Sequence, residues 1–441
     1  TLAEVTTKTI EGVTAAFNRD AVVARTKNEP EWLKQRRLDA WSVYEDLDLP
    51  TTKLEEWRYT EISRFRLNDV RLAEPDASAD VPAGARAMLE GKRAAGRVLQ
   101  VGASIAQIEL DEALAEKGVL LMDLATAARE HPELIEKHLA TDAVPAAAGK
   151  FAALNAALWT AGVFLYIPRG VRIEEPIRVA RWIDEAGIAV FPRTLIIADE
   201  GSHVAYVDEF GSPDLDGASL SCGAVEVFAR DGADVQYVAL QRWGKGVRHL
   251  SVQRTIAGRD SNLDSLVVNL GASVARVDLA ARLEGPGSRS DMLGLYFATE
   301  DQHFDHNTRQ DHVVPNATSD LLYKGALYDE AKTVFRGIIR VHPNAQRTDA
   351  YQTNRNVLLS PDAEAISLPN LEIEADDVRC SHGATVGQLE EEELFYLMSR
   401  GLTRKQAERL VIFGFFGEVL ERLPLPGVVE ELREAIEERI A

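Results

Sequence analysis

Residues 225–270 read VEVFARDGADVQYVALQRWGKGVRHLSVQRTIAGRDSNLDSLVVNL. Short apolar or alternating runs, such as 235–240 and 263–270, are separated by clusters of turn-forming residues at 231–234 and 258–261. Runs of this length that are rich in β-branched and aromatic residues are typical of β-strands, and the Gly and Asp clusters between them are typical of turns. The stretch therefore predicts several strands in succession with no helix between them.

The same texture extends from about residue 151 to residue 379. Further strands are predicted at 193–198 and 204–207, with turns at 199–202 and 285–288. A small-residue turn before each new strand is typical of a solenoid of stacked β-coils, in which each coil buries its inner face against its neighbours. The turns are too irregular to fix a period, so the pattern alone also permits a large β-sandwich or barrel.

The region before the strands has a helical period. Leu38, Trp41 and Tyr44 recur at three-residue spacing, and Pro50 ends the segment. Apolar residues at this spacing share one face of a helix. We therefore predict an N-terminal helical domain over residues 1–145.

Helical periodicity returns near the C-terminus. We predict one helix over 389–400, a second helix that starts with a capping box between Thr403 and Gln406, and a third helix after it. The predicted division is therefore a β core over 146–380 and a C-terminal helical domain over 381–441.

Composition limits the classes of function. The 441 residues carry a net charge of -21, which disfavours nucleic acid and anionic membranes as partners. Cys222 and Cys380 are the two cysteines, too few for a disulfide framework, which favours a reducing compartment, and we expect the cytoplasm. No run approaches the roughly 20 apolar residues of a membrane span, and Thr1 to Ile10 shows no targeting pattern. Motifs for nucleotide hydrolysis or dinucleotide binding are also missing from the sequence.

Two segments carry candidate metal ligands. His303, Asp305, His306 and His312 have spacings that allow zinc or iron binding, although such residues also line polar faces and subunit contacts. In the segment 380–382, a cysteine and a histidine two residues apart would share one face of an extended chain and together ligate iron or hold sulfur. The alternative is a buried inert thiol beside a hydrogen-bonded imidazole. Cys222 is interpreted as a packing residue.

The apolar run 410–416 lies in the second predicted C-terminal helix. Arg404, Lys405 and Arg409 precede it. Few neighbouring residues are available to bury an apolar helix of this kind. It is therefore either the centre of the small domain or partly a docking surface for another protein.

Five segments, spread along nearly the whole chain, together resemble the SufB/SufD family, and several of them resemble its SufD branch. They are KLEEWRYT at 53–60, RTLIIADEG at 193–201, DHVVPNATS at 311–319, CSHGATVG at 380–387 and ELFYLMSRGL at 393–402. The resemblance implies a mainly β protein, with a right-handed parallel β-helix between helical ends. It also implies a non-enzymatic scaffold subunit of a SufB–SufC–SufD complex that assembles iron–sulfur clusters.

The resemblance further implies two partner surfaces. SufB would pair with the β-helix, with His303, His306 and His312 facing it. The SufC ATPase would dock on the C-terminal helices. The docking residues would be Phe395, Tyr396, Leu402, Phe413, Phe415 and Phe416.

By the same resemblance, His382, with Cys380 beside it, would help to hold a nascent iron–sulfur cluster at the SufB interface. The cluster would be held transiently and not by this chain alone. Reduced flavin in the complex, and a homodimer of the isolated chain, are compatible with the family. Thr353 or Asn354, and Phe210, stand near positions of SufB cysteines, so this chain should not accept persulfide sulfur.

Two alternatives remain at this point. One is a metal-dependent β-helix enzyme that uses His303, His306 and His312 with Asp305. It predicts a metal bound by the purified chain and turnover without partners. The other is a purely structural adaptor in which His382 only packs at an interface.

Overall fold

The computed structural model of the protein describes residues 16–76, 80–423 and 425–440. The expectation for Thr1 to Ile10 lies outside these residues. In the described ranges, no helix combines the length and the apolar character that crossing a membrane requires.

The N-terminal region mixes helices with short strands. Its helices are α1 (Arg19–Arg25), α2 (Glu31–Asp46), α3 (Ala83–Ala87), α4 (Glu112–Glu116), α5 (Leu124–Glu130), α6 (Pro132–Ile135) and α7 (Lys150–Leu158). Short 3-10 helices span Glu55–Trp57, Ile62–Phe65, Leu67–Asp69 and Ala146–Ala148. Its strands are β1 (Arg71–Leu72), β2 (Gly96–Val101), β3 (Ser104–Leu110) and β4 (Leu120–Asp123).

An unbroken series of strands follows. They are β5 (Val163–Ile167), β6 (Ile177–Trp182), β7 (Ile188–Val190), β8 (Arg193–Ala198), β9 (His203–Gly211), β10 (Ser219–Ala229), β11 (Asp234–Arg242), β12 (Val247–Ala257), β13 (Asn262–Asn269), β14 (Val274–Leu283), β15 (Arg289–Ala298), β16 (His303–His312), β17 (Thr318–Leu327), β18 (Lys332–Val341), β19 (Asp349–Leu358), β20 (Glu364–Ile373) and β21 (Arg379–Gln388). Three helices close the described chain: α8 (Glu391–Ser399), α9 (Arg404–Glu421) and α10 (Pro426–Ile440).

The strands form two facing sheets, and from β8 onward consecutive strands alternate between them. The first sheet has the order β4-β5-β8-β10-β12-β14-β16-β18-β20, with β1 and β7 beside it, and the second has the order β3-β2-β6-β9-β11-β13-β15-β17-β19-β21. The core strands pair in parallel, whereas β2 with β3 and β4 with β5 are antiparallel. This is a β-solenoid of about eight turns, which confirms the β-helix and excludes the sandwich and barrel. Right-handed winding is usual for parallel crossovers and stays a prediction.

The strands predicted at 193–198, 204–207, 235–240 and 263–270 are all present. The structure differs from the expected division at both ends of the core. The region 1–145 is not purely helical, because β2, β3 and β4 extend the two sheets into it. The last strand runs to Gln388, so the boundary placed after Cys380 falls inside a strand.

Successive turns meet at one corner of the solenoid in a left-handed backbone conformation. The corner residues are Gly201, Gly232, Asp260, Gly287, Asn316 and Arg347. The backbone N–H of each one donates a hydrogen bond to a carbonyl of the next turn, for example Gly287 to Asn316 at 3.2 Å. Their spacings are 31, 28, 27, 29 and 31 residues, which explains why the sequence shows turns without a fixed period.

Tyrosine rings and glycines interlock inside the solenoid. Gly294 lies opposite Tyr323 in the ladder of β15 and β17, and Tyr296 lies opposite Gly325. A Cβ atom built on Gly294 would come within 2.3 Å of the Tyr323 ring, and one built on Gly325 would meet the Tyr296 ring even more closely. Each ring therefore occupies the space that the missing side chain leaves on the next turn.

The helices cover the outer faces of the two sheets. The N-terminal helices pack on the first sheet through a cluster that includes Trp41, Tyr44 and Leu154. Helices α9 and α10 pack on the second sheet through a cluster that includes Phe416 and Leu432. Burial of this apolar area at roughly 25 cal/mol per Å² is the main force that holds each helical layer in place.

A buried charge cluster joins all three regions. Glu209 on β9 accepts hydrogen bonds from Arg178 on β6 at 2.9 Å and from Lys92 of the N-terminal region at 2.6 Å. Arg178 also donates to Glu431 on α10 at 2.6 Å. Because removal of one partner leaves an uncompensated buried charge, the cluster fixes both helical layers relative to the core.

The interlocked rings give a test of the fold. We expect Gly325→Ala to lower the free energy of unfolding by about 1–3 kcal/mol, because the new methyl group overlaps the Tyr296 ring. Gly414→Ala on α9 is the control, since a Cβ atom there meets nothing within 4 Å. Urea unfolding followed by circular dichroism measures both. Equal stability of the two variants would contradict the interlocked packing.

Buried histidines make the fold sensitive to acid. Burial lowers the pKa of His306 from 6.5 to about 3. The imidazole is therefore neutral in the folded chain, and the unfolded chain binds a proton as the pH falls below 6.5. The contribution of neutral His306 to the free energy of unfolding is thus complete above pH 7 and decreases as the pH falls toward 3.

We expect the free energy of unfolding to fall by up to about 2 kcal/mol between pH 7.5 and pH 5.0 on account of His306 alone. His306→Gln should reduce the fall by that amount. Denaturant unfolding at the two pH values checks this, with pH 7.5 against pH 8.5 as the control interval, in which the two proteins should not diverge. An unchanged acid sensitivity of the variant would contradict a neutral buried imidazole.

Candidate functional site

Cys380 and His382 lie on the last strand of the solenoid. β21 pairs with β19, and the register places Cys380 opposite Ala350 and His382 opposite Gln352. The two side chains therefore project from the same face of the strand, as the sequence predicted. Because no further turn covers this strand in the described part of the chain, the imidazole of His382 is exposed to solvent.

The thiol of Cys380 has a different environment. It is half-buried against an apolar cluster that includes Val341, Leu371 and Val378. Burial, together with the nearby Asp349 carboxylate, raises the pKa of this thiol. His382 is therefore the accessible donor of the pair, and the Cys380 thiol must lose its proton before it ligates a metal.

The pair is not a complete metal site. Within the described ranges, no group of three or more His, Cys, Asp or Glu residues is placed to hold a metal ion. Cys380 and His382 are the two candidate donors that the sequence predicted at this open end, and the Asp349 carboxylate lies near the thiol.

The end of the solenoid also exposes strand edges. β20 and β21 are the terminal strands of the two sheets, and each has a strand neighbour on one side only among the described residues. Ile373 on β20 and Val386 on β21 are among the exposed large apolar residues. An edge with free backbone N–H and C=O groups is a template for pairing with another chain.

The predicted partner-facing row of His303, His306 and His312 is wrong. All three imidazoles are buried, with at most 1% of their surface exposed. Alternation along β16 also places them on two faces. His303 points outward, toward the Thr60 hydroxyl at 2.8 Å, whereas His306 points inward and stacks on the Tyr296 ring at 4.7 Å.

The same geometry keeps His303 and Asp305 together at the Thr60 hydroxyl but separates them from His306 and His312. The Thr60 hydroxyl donates to Asp305 at 2.5 Å, and the Asp305 carboxylate also pairs with Arg276. His312 lies inside the solenoid and bonds to the Ser319 hydroxyl at 2.7 Å. A metal-dependent enzyme built on this segment therefore has no assembled site in the described residues.

The six predicted docking residues divide between core and surface. Phe416 is fully buried beneath α9, so it belongs to the core. Phe413 and Phe415 are half-buried, and Leu402 lies between the two helices with intermediate exposure. Phe395 and Tyr396 on α8 are 73% and 58% exposed, which makes them accessible to a partner.

The structure adds surface residues that the sequence interpretation missed. Leu410 is 52% exposed and Met398 is 41% exposed. With its neighbours, Leu410 forms an open groove between α8 and α9 of about 770 Å³. The groove is lined by Glu390, Glu392, Glu393, Tyr396, Leu397, Leu410, Val411, Gly414 and Phe415. The apolar floor and acidic rim could have been found from the helical spacing of residues 390–397 and 410–415.

A buried lysine anchors this groove to the solenoid. The ammonium group of Lys324 on β17 donates to the Phe415 carbonyl at 2.8 Å and pairs with Glu418 at 2.5 Å. It also lies 4.8 Å from the centre of the Phe415 ring. The groove floor is therefore held rigidly against the second sheet.

Comparison with known proteins finds matching family models for two consecutive parts of the chain. Residues 181–415 match the family described as SUF system FeS cluster assembly, SufBD core domain, and residues 14–179 match the SufBD protein N-terminal region. The iron–sulfur cluster assembly protein SufD of Bacillus subtilis (strain 168) is 32% identical over 93% of this chain and 95% of its own length. SufBD family proteins of Staphylococcus aureus (strain USA300) and Staphylococcus haemolyticus (strain JCSC1435) are 29% and 30% identical, each over 92% of this chain and 89% of their own length. The chain thus belongs to the SufBD family of iron–sulfur cluster assembly proteins.

Proposed function

We propose that this chain is a scaffold subunit that assembles iron–sulfur clusters jointly with a SufB chain and a SufC ATPase, and that it catalyses no reaction alone. The observation that carries the proposal is the exposed His382 at the open end of the solenoid. The name of the Bacillus subtilis relative supports the same process.

The open end is the proposed surface for SufB. Addition of strands from a second β-helix to β20 and β21 would satisfy their free backbone groups and continue the two sheets. The contact would also bury Ile373 and Val386, which are exposed in this chain. A second copy of this chain would use the same edges when SufB is absent.

At that junction the nascent cluster is cargo, and His382 is its proposed ligand. A neutral imidazole is a competent iron ligand, and Cys380 supplies a second donor once its thiol is deprotonated. Because no group of three or more potential ligands is found in the described ranges, SufB would supply the remaining ligands. A site shared between two chains suits a cluster that must be released.

The residues that stand near the positions of SufB cysteines argue against a sulfur-accepting role. Thr353 and Asn354 stand on β19, and Phe210 is buried on β9. None of these side chains forms a persulfide. We therefore propose that sulfur reaches the cluster from the partner chain.

The groove between α8 and α9 is the proposed surface for SufC. Its floor is apolar through Leu397, Leu410 and Val411, and its rim carries Glu390 and Glu393. Such a groove fits an apolar segment flanked by Lys or Arg residues. The Lys324 anchor would transmit movement of the docked ATPase to the second sheet.

Replacement of His382 tests the cluster role. We expect His382→Ala to co-purify with SufB and SufC in native yield but to lose most of the iron and acid-labile sulfide, because the accessible donor is gone. Anaerobic purification followed by iron and sulfide analysis measures this.

His131→Ala in the N-terminal region is the matched control, since it removes a partly exposed histidine far along the chain from the open end. It should keep both complex and cluster. A His382→Ala complex that retains a full cluster would contradict the ligand role of His382 and indicate a purely structural adaptor. A native chain that forms no complex with SufB and SufC would overturn the scaffold assignment.

Replacement of groove residues tests the docking surface. We expect the double variant Tyr396→Asp, Leu410→Asp to bind SufC at least about tenfold more weakly, because charges in an apolar contact oppose its desolvation. Both side chains are more than half exposed, so the fold should persist. Calorimetric titration with SufC measures the affinity.

Tyr328→Asp, at an exposed aromatic residue that follows β17 of the solenoid, is the control and should bind SufC normally. Phe416→Asp should instead unfold the chain, since that ring is fully buried. Unchanged SufC affinity in a folded groove variant would place the docking site elsewhere.

A further inference from the structure

A second cavity lies on the opposite side of the molecule, between the N-terminal region and the outer face of the first sheet. Its volume is about 550 Å³, within the range of roughly 300–1,000 Å³ that is typical of small-molecule sites. Its walls come from residues 47–57 and 142–152, and its floor comes from β12, β14, β16 and β18. Neither proposed partner surface includes this cleft.

The floor carries an excess of positive charge. Five arginines and two aspartates of the four floor strands line the cleft: Arg254, Arg276, Arg282, Arg309, Arg336, Asp278 and Asp311. Each aspartate already faces an arginine, as in the 3.0 Å pair of Asp278 with Arg254. Arg276 pairs with Asp305 beside the cleft and Arg336 pairs with the wall residue Glu55. Arg309 is therefore the one floor arginine without a carboxylate partner among the described residues, in a chain whose net charge is -21.

The walls of the cleft contain both signs of charge. Asp48, Glu56 and Asp142 line them together with Lys150. The Lys150 ammonium group already donates hydrogen bonds to the carbonyls of Tyr44 and Leu47. A bound anion would therefore be held at the floor rather than at the walls.

Arg336 is the best placed of these cations. Its side chain is only 10% exposed, and its Nη2 atom pairs with Glu55 at 2.9 Å. Its Nε and Nη1 atoms are buried and find no hydrogen-bond partner among the described residues. Buried guanidinium N–H groups without acceptors are costly, and the oxygens of a phosphate or carboxylate are strong acceptors for such groups.

Arg309 complements Arg336 at the surface. Its side chain is exposed on β16, and no ion pair involving it is found in the described ranges. In the ladder of β16 and β18, Arg309 lies opposite Ile338, and Ile338 is two residues beyond Arg336 on β18. The two guanidinium groups therefore flank the same part of the floor.

Trp57 gives the cleft a flat apolar wall. The Arg276 guanidinium group lies 4.0 Å from the centre of its ring, which fixes the orientation of the indole. Trp57 belongs to the segment 53–60, whose Glu55 holds Arg336 and whose Thr60 holds Asp305. This segment thus builds one wall of the cleft and positions its floor.

We propose that this cleft binds a small organic or inorganic oxyanion, with phosphate or carboxylate groups held by Arg336 and Arg309. The binding site is separate from the open end of the solenoid and does not depend on the role proposed for His382.

Calorimetric titration of the full chain with pyrophosphate and with citrate, at low ionic strength, tests the proposal. We expect at least one of them to bind, with an affinity that falls at least about tenfold in Arg336→Gln. Stronger binding of pyrophosphate would identify a phosphate ligand, and stronger binding of citrate would identify a carboxylate ligand.

Arg309→Gln provides an independent variant, because an exposed side chain contributes little to folding. It should weaken binding about threefold or more while the thermal unfolding midpoint stays unchanged. Arg169→Gln, at an exposed arginine outside the cleft, is the matched control and should bind as the native chain does. The proposal is overturned if neither anion binds at millimolar concentration, or if binding persists unchanged in folded Arg309→Gln or Arg336→Gln protein.

Discussion

Parallel backbone pairing between consecutive turns is the interaction on which the rest of the structure depends. Each strand from β11 to β19 bonds to the strands two places before and after it, so a turn is stable only between neighbours. At the N-terminal end, antiparallel pairing of β2 with β3 and of β4 with β5 supplies an outer neighbour. The described chain supplies none beyond β20 and β21. The exposure of His382 is a direct result of this asymmetry between the two ends.

The interior of the solenoid changes in character toward its open end. Near β9 and β11 the inner face combines aromatic rings with a buried ion pair: Tyr206 stacks on Tyr237 at 5.8 Å, and Arg181 pairs with Asp208 at 2.7 Å. In the last turns, polar side chains bridge the two sheets: Asn354 accepts from the Ser367 hydroxyl at 2.7 Å, and Gln352 donates to the Asn370 carbonyl at 3.1 Å. Such bonds are directional, so they fix the geometry of the terminal turns more than they add to the burial of apolar surface.

The sequence predicted those features that depend on local order. The run 193–198 is a strand because apolar residues lie between turn residues, and the capping box of Thr403 forms as expected. Features that depend on distant contacts were missed. His303 is covered by Thr60, which is 243 residues away, and nothing near His303 in the chain indicates this burial. Strand alternation alone, however, would have separated His303 from His306, and helical spacing within α9 separates buried Phe416 from exposed Leu410.

Because its turns repeat at the left-handed corner from Gly201 to Arg347, the solenoid has a length that is set by the number of turns. Each turn contains between 27 and 31 residues but lengthens each sheet by one strand spacing of about 4.8 Å, because the additional residues of a longer turn lie in its loops. Lys324 and His382 stand on β17 and β21, two such spacings apart in the second sheet. Loop insertions between them therefore leave their separation unchanged, whereas gain or loss of one whole turn changes it by a fixed step. The distance between the groove of α8 and α9 and the open end is thus set in fixed steps by the number of turns.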